Sequence, residues 1–302
     1  MSEMTDNQAR IDSDPGRYIE DTIKKFVATS PAARLAFMND FLMYDEPLVK
    51  FADANDRIFS IFKEVIGPEH YTPREAVALA LGKPAEEIPD RLSVISWILP
   101  ITEETRKSNW LEKERPSRLW SHTRWYGENT NVALKKYLTE LLTGKGYIAI
   151  APEAQPFFKM LSNSKGPYSN WSERHIAFAA GQGTFGLSDG FITERGVAHR
   201  CGSVVTSLQL PASPRSATGP YSNCRAFAGV KCKSCINRCP AQAITEQGHD
   251  KIKCQQYQRS LGYNVAAFVK DGYNNEASVA GCGLCQTKVP CEAANPTLKI
   301  NK

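Results

Sequence analysis

The stretch that decides how this chain is read is Lys231–Thr245, "KCKSCINRCPAQAIT". It sets Cys232, Cys235, Cys239 and Pro240 in a C-x2-C-x3-C-P run, followed by a small, apolar tail. Such a run can hold zinc, a disulfide or an iron–sulfur cluster. The C-x2-C step lets two thiolates from one turn bind adjacent corners of a cluster. The C-x3-C-P step then carries the chain out, with proline fixing φ at the start of the next segment.

The rest of the cysteines narrow the choice. Of nine in 302 residues, none precedes Cys201 and eight lie between Cys224 and Cys291. Free cysteines used as small core residues would be scattered; this segregation reads as a metal-binding module behind a cysteine-free region. The N-terminal "MSEMTDNQARIDSDPGRYIEDTIKKF" has no apolar export segment, and the apolar stretch Leu92–Ile101 is too short to span a bilayer. A cytoplasmic protein without a membrane role is therefore expected, where a disulfide framework is disfavoured. The formal charge of +5, from 37 basic and 32 acidic residues, permits nucleic-acid contact without arguing for it.

Bacterial ferredoxins use C-x2-C-x2-C-x3-C-P, and the last cysteine of that run serves the other cluster in two-cluster proteins. Here the first cysteine's usual place holds Gly229, and Cys224 is the substitute across the wider loop "RAFAGVK". The crossed rule then assigns one 4Fe–4S cluster to Cys224, Cys232, Cys235 and Cys291, and the other to Cys239, Cys254, Cys282 and Cys285. Two features depart from the pattern. "CGLCQTKVPC" (Cys282–Cys291) has five residues between its last two cysteines, and Cys201 is a ninth candidate that could displace Cys224. A zinc ribbon built from the two C-x2-C pairs would leave Cys224, Cys239, Cys254 and Cys291 unexplained.

Ahead of the cysteines, residues 1–90 read as a helical region. "DPGRYIEDTIKKFVA" places Ile19, Ile23 and Phe26 on one face, and "TPREAVALALG" has a cap, a first-turn proline and a glycine stop. Residues 91–212 alternate strand and helix. "LSVISWILP" reads as a strand, and "NTNVALKKYLTELLTGKG" as a helix with Val132, Leu134, Leu138, Leu141 and Leu142 inward. "YIAIAP" and "GSVVTSLQLP" read as further strands. This order predicts an α/β (α+β) layered core. "PASPRSATGPYSN" is a linker by composition, and residues 213–302 form the cysteine module.

The segment Ala179–Thr206, "AAGQGTFGLSDGFITERGVAHRCGSVVT", is rich in glycine, but it follows a helix rather than a strand and so fails the dinucleotide fingerprint. With "LLTGKGYIAIAP" before it and the cysteine module after it, the chain resembles the family that unites epoxyqueuosine reductases and reductive dehalogenases. The resemblance covers about residues 90–295. It implies a nitroreductase-like core binding cobalamin, then a ferredoxin-like domain with two 4Fe–4S clusters. On the motif match, Gly181, Gly183, Thr184, Phe185, Gly186, Gly190, Gly202 and Ser203 would line the corrin.

The same resemblance directs attention to proton donors. The acid that epoxyqueuosine reductases carry before S-A-P is replaced here by Ala149, with Glu153 nearby but shifted. Dehalogenases use a tyrosine beside a basic residue, which points to Tyr126 and Arg124 in "SHTRWYGE", with Tyr147 and Tyr168 as further options. A boundary tyrosine, ring buried and hydroxyl wet, is the plainer account of each. The expected function is a cobalamin-dependent, iron–sulfur oxidoreductase acting on a small organic substrate, fed by an external low-potential donor of ferredoxin or flavodoxin type. The alternative is an electron-transfer or corrinoid-reducing protein acting on a partner. tRNA is not expected, because the chain ends soon after Cys291 without a helical-repeat region.

Overall fold

The computed structural model of the chain describes residues 11–260 and 281–298. Helix α1 (Pro15–Thr29) starts where the Asp14 side chain accepts from the Arg17 amide at 2.9 Å, and it buries Tyr18, Ile19, Ile23 and Val27. Strand β1 (Leu48–Asp53) follows, then helices α2 (Ile58–Val65) and α3 (Pro73–Leu81). Thr72 and Glu75 form a reciprocal capping box on α3, which Gly82 ends at φ +61°. Strand β2 (Ser93–Pro100) is buried at every position. After it come α4 (Glu103–Ser108), the 26-residue α5 (Arg118–Thr143) and the two-residue β3 (Ala149–Ile150). Helix α6 (Glu173–Ala179), the hairpin β4 (Gly183–Phe185) and β5 (Phe191–Thr193), and strand β6 (His199–Thr206) complete the front part.

The central sheet has the order β1-β2-β6-β3 with every pair antiparallel. Cys201 lies opposite Ile98 and Val205 opposite Val94. On one face Ile95, Trp97, Leu99 and Val204 meet α1 and α5 through Ile19, Ile23, Leu134, Leu138 and Leu142. On the other, Ala52, Val94 and Val205 meet α2, α3 and α6 through Phe59, Phe62, Val77 and Ile176. Both faces are covered, which is why β2 reads as a continuous apolar run rather than an alternating one. Fully burying a side chain such as Leu134 or Leu138 contributes about 1.5–3 kcal/mol. The α/β layering is as the sequence predicts.

Two details differ from it. The region before residue 90 is not helical throughout, because β1 pairs with β2 from Leu48↔Ile98 to Asp53↔Ser93 and forms the edge of the same sheet. Helix α5 also starts at Arg118, well before the predicted helix. Ser117 caps it by accepting from the Trp120 amide at 3.1 Å, and its first turns bury polar residues, including Ser121, His122 and Thr123. An apolar periodicity cannot show such turns. Val132, expected inward, is exposed.

The cysteine region carries α7 (Ser234–Arg238), a small hairpin (Ile244–Thr245 with Gly248–His249), α8 (Lys251–Ser260) and the segment 281–298. It is clasped to the sheet domain from three sides. The Val197 amide donates to the Cys291 carbonyl at 2.8 Å, and the Trp120 indole to the Gly281 carbonyl at 3.1 Å. Arg106 and Trp110 both reach the buried Glu292 carboxylate, at 3.3 and 2.8 Å. Among the described residues no helix is long and apolar enough to cross a membrane.

Candidate functional site

Four thiols meet first. Cys224, Cys232, Cys235 and Cys291 line a single partly open pocket whose other walls include Leu187, Ile192, Val289 and Pro290. Cys224 and Cys232 come from the loop before α7, Cys235 from α7 itself, and Cys291 from the last segment. Burial pushes the Cys291 thiol up to about 12, with neighbouring Cys235, Cys224 and Cys232 adding to the rise. Burial likewise takes Cys235 up to about 11, with Cys224 and Cys232 contributing.

The remaining four form a second neighbourhood. The Cys285 thiol is raised well above its ordinary value by burial and then by Cys282, Cys254 and Cys239. Cys282, pushed to about 11 by burial, has Cys254 and Cys239 beside it. Here the sulfurs also receive N–H donors: Ala243 to Cys239 at 3.3 Å and the Gln258 side chain to Cys254 at 3.2 Å. Donors of this kind stabilise anionic sulfur. The two neighbourhoods adjoin, since Cys285 also senses Cys235.

Cys201 stands apart from both. It lies on β6 with its sulfur 3.5 Å from His199 Nδ1, and its charged surroundings are Glu173, Arg174, Arg200 and Glu153. His199 Nε2 meets the Phe191 carbonyl at 2.7 Å, so the proton sits there and Nδ1 accepts from the thiol. Burial holds that thiol protonated, up to about 12.

The donor set suits clusters better than single ions. Among the described residues no three His, Cys, Asp or Glu groups converge as the ligands of one metal ion. A structural zinc needs four ligands within about 2.3 Å of one point, whereas the first four thiols are distributed around a cavity.

The residues that the family resemblance assigns to cobalamin are engaged by the fold's own packing. A Cβ on Gly181 would stand 2.6 Å from the Pro214 carbonyl oxygen, one on Gly183 2.2 Å from that of Ile192, and one on Gly190 2.5 Å from Val197. On Gly202 it would meet Asn131 Oδ1 at 2.4 Å and the Trp97 ring at 2.5 Å. The missing side chains are thus required by the fold's own close approaches. Thr184 accepts from the Asn223 amide at 2.9 Å, and Phe185 packs 4.6 Å from His175 and 5.3 Å from Phe191. Ser203 is hydrogen-bonded to Trp171 and Glu173. Gly186 is the exception in place, since it borders the cavity of the first four thiols rather than a corrin face.

Arg124 and Tyr126 are not brought together. Two residues apart on α5, they point about 200° from one another. Tyr126 packs at 5.2 Å from the Phe37 ring and 6.1 Å from His122. Arg124 turns the other way, where a Cβ on Gly281 would lie 3.3 Å from its Nε. Burial, and after it the nearby Arg200 guanidinium, lower Arg124 to about 10. Tyr168 donates to the exposed Glu69 at 3.2 Å.

What the sequence left out is a charged group at the edge of β6. The buried Lys135 ammonium of α5 contacts the Glu153 carboxylate, in the turn Pro152–Ala154 after β3, and lies 3.3 Å from Glu173 Oε1 of α6. Ser203 donates to Glu173 Oε2 at 2.6 Å. Burial lifts Glu173 well above the usual carboxylate range, with Glu153 reinforcing it and Lys135 opposing. A lysine on the inward side of an amphipathic helix was the available signal; the three partners are too far apart in sequence to pair by spacing.

No family model matches the chain, and no curated protein does either. Among solved structures the chain is similar to epoxyqueuosine reductase from Bacillus subtilis, at 14% identity and TM-score 0.39, covering 91% of this chain and 65% of that one. It is also similar to an epoxyqueuosine reductase with a tRNA-Tyr epoxyqueuosine-modified stem loop (16%, 0.43, 83% and 62%). A selenomethionine-labelled epoxyqueuosine reductase gives 16%, 0.43, 91% and 65%. The chain spans less than two thirds of the length of these proteins. One expectation is corrected by them: the exclusion of tRNA does not stand, because one of these reductases is seen with a tRNA stem loop.

Proposed function

We propose that the chain is an iron–sulfur oxidoreductase of the epoxyqueuosine reductase type. The layered sheet would serve as a nitroreductase-like core, and residues 213–302 as a ferredoxin-like module. The observation that carries this is the gathering of Cys224, Cys232, Cys235 and Cys291 around one cavity, with Cys239, Cys254, Cys282 and Cys285 as a second set. Those two sets would each hold one 4Fe–4S cluster, which supplies one-electron transfer at low potential when bound. The protein's own part is to bury the thiols, supply N–H donors to their sulfurs, and clasp the module to the sheet domain through Trp120, Arg106 and Glu292.

Cobalamin is implied by the resemblance only. Gly181, Gly183, Gly190 and Gly202 are packed against the fold's own backbone and side chains. The substrate belongs to the same proposal. A tRNA stem loop carrying epoxyqueuosine stands beside small organic molecules as a substrate to be tried.

Anaerobic purification and reconstitution, with iron, sulfide and cobalamin counted per chain, tests the reading. Two 4Fe–4S clusters require about eight iron atoms and eight sulfides. A preparation with one or two zinc ions and no sulfide would end it.

A further inference from the structure

The pocket of the first four thiols has one cation in its wall. Among the described residues that line it, Arg225 is the only one with a charged side chain besides the cysteines, and none is a carboxylate. Its Nε is buried and meets no hydrogen-bond acceptor among the described residues. The sequence offers no local counter-charge either, since no Asp or Glu occurs between Glu194 and Glu246. Nearby cations are engaged elsewhere: Arg215 with Asp56, Lys233 with Glu246, and Arg238 with the Thr287, Glu112 and Asn109 carbonyls.

The loop holds Arg225 in this place. Asn223 pins it to the β4–β5 hairpin, its amide donating to Thr184 Oγ1 at 2.9 Å and its side chain to the Ile192 carbonyl at 2.8 Å. The Arg225 carbonyl then accepts from the Ala228 and Val230 amides at 3.2 and 3.0 Å. Ordering a long cationic side chain costs up to about 2 kcal/mol. A buried donor left without an acceptor costs about 1–3 kcal/mol, and more when it is charged. None of the four thiols accepts from Nε. The sulfurs of a thiolate-held cluster are suitable acceptors, and hydrogen bonds to them are one of the factors that set its potential.

We infer that Arg225 donates from Nε to a 4Fe–4S cluster held by Cys224, Cys232, Cys235 and Cys291, and that this contact raises the cluster's reduction potential. The inference rests on the function proposed above. A cluster bound by four thiolates is anionic, and taking up one electron adds one negative charge without changing its ligands. The guanidinium therefore holds the reduced form more strongly than the oxidised one, and burial strengthens the difference. Arg225 itself takes up neither electron nor proton. It is a positioning residue that sets how firmly the first set holds its electron. In the second set the sulfurs receive other donors, Ala243 and Gln258.

The test uses the full chain, reconstituted anaerobically, with iron and sulfide counted and dithionite as reductant. With ¹⁵N-labelled arginine, pulsed EPR of the reduced protein is expected to show a ¹⁵N coupling that Arg225→Lys removes. In potentiometric titration, Arg225→Gln should disfavour reduction of one cluster at least tenfold, about 59 mV for one electron. The other midpoint should move less, and Arg225→Lys should fall between wild type and Arg225→Gln. Full clusters without the coupling, or a coupling that survives Arg225→Lys, overturn the contact. Midpoints that stay put or shift equally in Arg225→Gln overturn the tuning. If Arg225→Gln cannot hold its clusters, Arg225→Lys decides: an unmoved midpoint overturns the tuning and a lowered one supports it. A preparation without sulfide ends the proposed function and this inference together, whereas about eight irons and eight sulfides without the coupling end this inference alone.

Discussion

Arg238 reaches from the first cysteine run to the last, its guanidinium donating to the Thr287 carbonyl at 3.2 Å and the Thr287 hydroxyl at 3.4 Å. The same fork serves the carbonyls of Leu284 at 3.3 Å, Glu112 at 2.8 Å and Asn109 at 3.0 Å. Arg238 lies between Cys235 and Cys239, so one side chain fixes the distance between both thiol sets and the loop ahead of α5. Planar, multidentate donation of this kind is beyond a lysine.

Arg238→Met is therefore expected to lower the iron content of both sets together. Hydrogen bonds to a charged donor contribute about 1.5–3 kcal/mol each, and several are lost at once, so the fall in stability should reach at least about 3 kcal/mol. Arg238→Lys should recover only part of it. Iron per chain and the urea midpoint check this; unchanged iron in Arg238→Met would remove the bracing role.

Cys224→Ser should behave differently. Cys224 lines the first cavity only, so this variant is expected to lose about half its iron and keep the set built on Cys285. Cys201→Ser should keep all of its iron, since its sulfur faces His199 instead. The reverse result, with Cys201→Ser losing half, would make Cys201 a ligand.

The contrast between these cysteines shows what could be read in advance. The C-x2-C-x3-C-P run is a local pattern, and local spacing alone pairs Cys232 with Cys235. The departure of Cys239 to the other set follows from the same motif. What sets Cys201 apart from Cys224 is register instead. Cys201 is locked opposite Ile98 in the sheet, which a linear sequence does not state. The layered core was legible in β2 and in the leucines of α5, because burial imposes their pattern. Arg124 and Tyr126, neighbours in the linear motif, face different sides of α5 by helical geometry, which the motif does not state. The Lys135–Glu153–Glu173 group was invisible, as it joins residues 18 to 38 positions apart across an open sheet edge.

Gly202→Ala tests whether the glycine-rich segment serves the fold. Its Cβ would overlap Asn131 Oδ1 and the Trp97 ring, the two groups already joined by a 2.9 Å indole hydrogen bond. Neither can retreat, since both are buried between the sheet and α5. Overpacking a core of this kind typically costs about 1–3 kcal/mol, and thermal unfolding should report a loss of that size. A neutral substitution would mean that the space beside Gly202 is more open than this packing allows.

The pH dependence of stability should carry two opposed slopes. Burial holds His70 and His199 down to about 4 and His175 to about 3, from an ordinary value near 6.5. Unfolded chains bind protons at these sites first, so their contribution is complete above pH 6.5 and is lost as pH falls below it. Glu173 works in reverse. Its burial, with Glu153 beside it, raises it from about 4.5 to about 8, so the folded state binds the extra proton. That contribution is present below about pH 4.5 and disappears as pH rises through 8. Above pH 6.5 the slope of these three histidines has ended, while Glu173 and His249, which against burial is raised to about 9 by Asp189 and Cys254, both still slope downward. Wild-type stability should accordingly decline between about pH 6.5 and 8, while Glu173→Gln declines less steeply across that interval and keeps the acid-side loss. Urea midpoints of the reconstituted protein at half-unit pH steps measure both limbs. An identical decline in wild type and Glu173→Gln would place its cause in some other group.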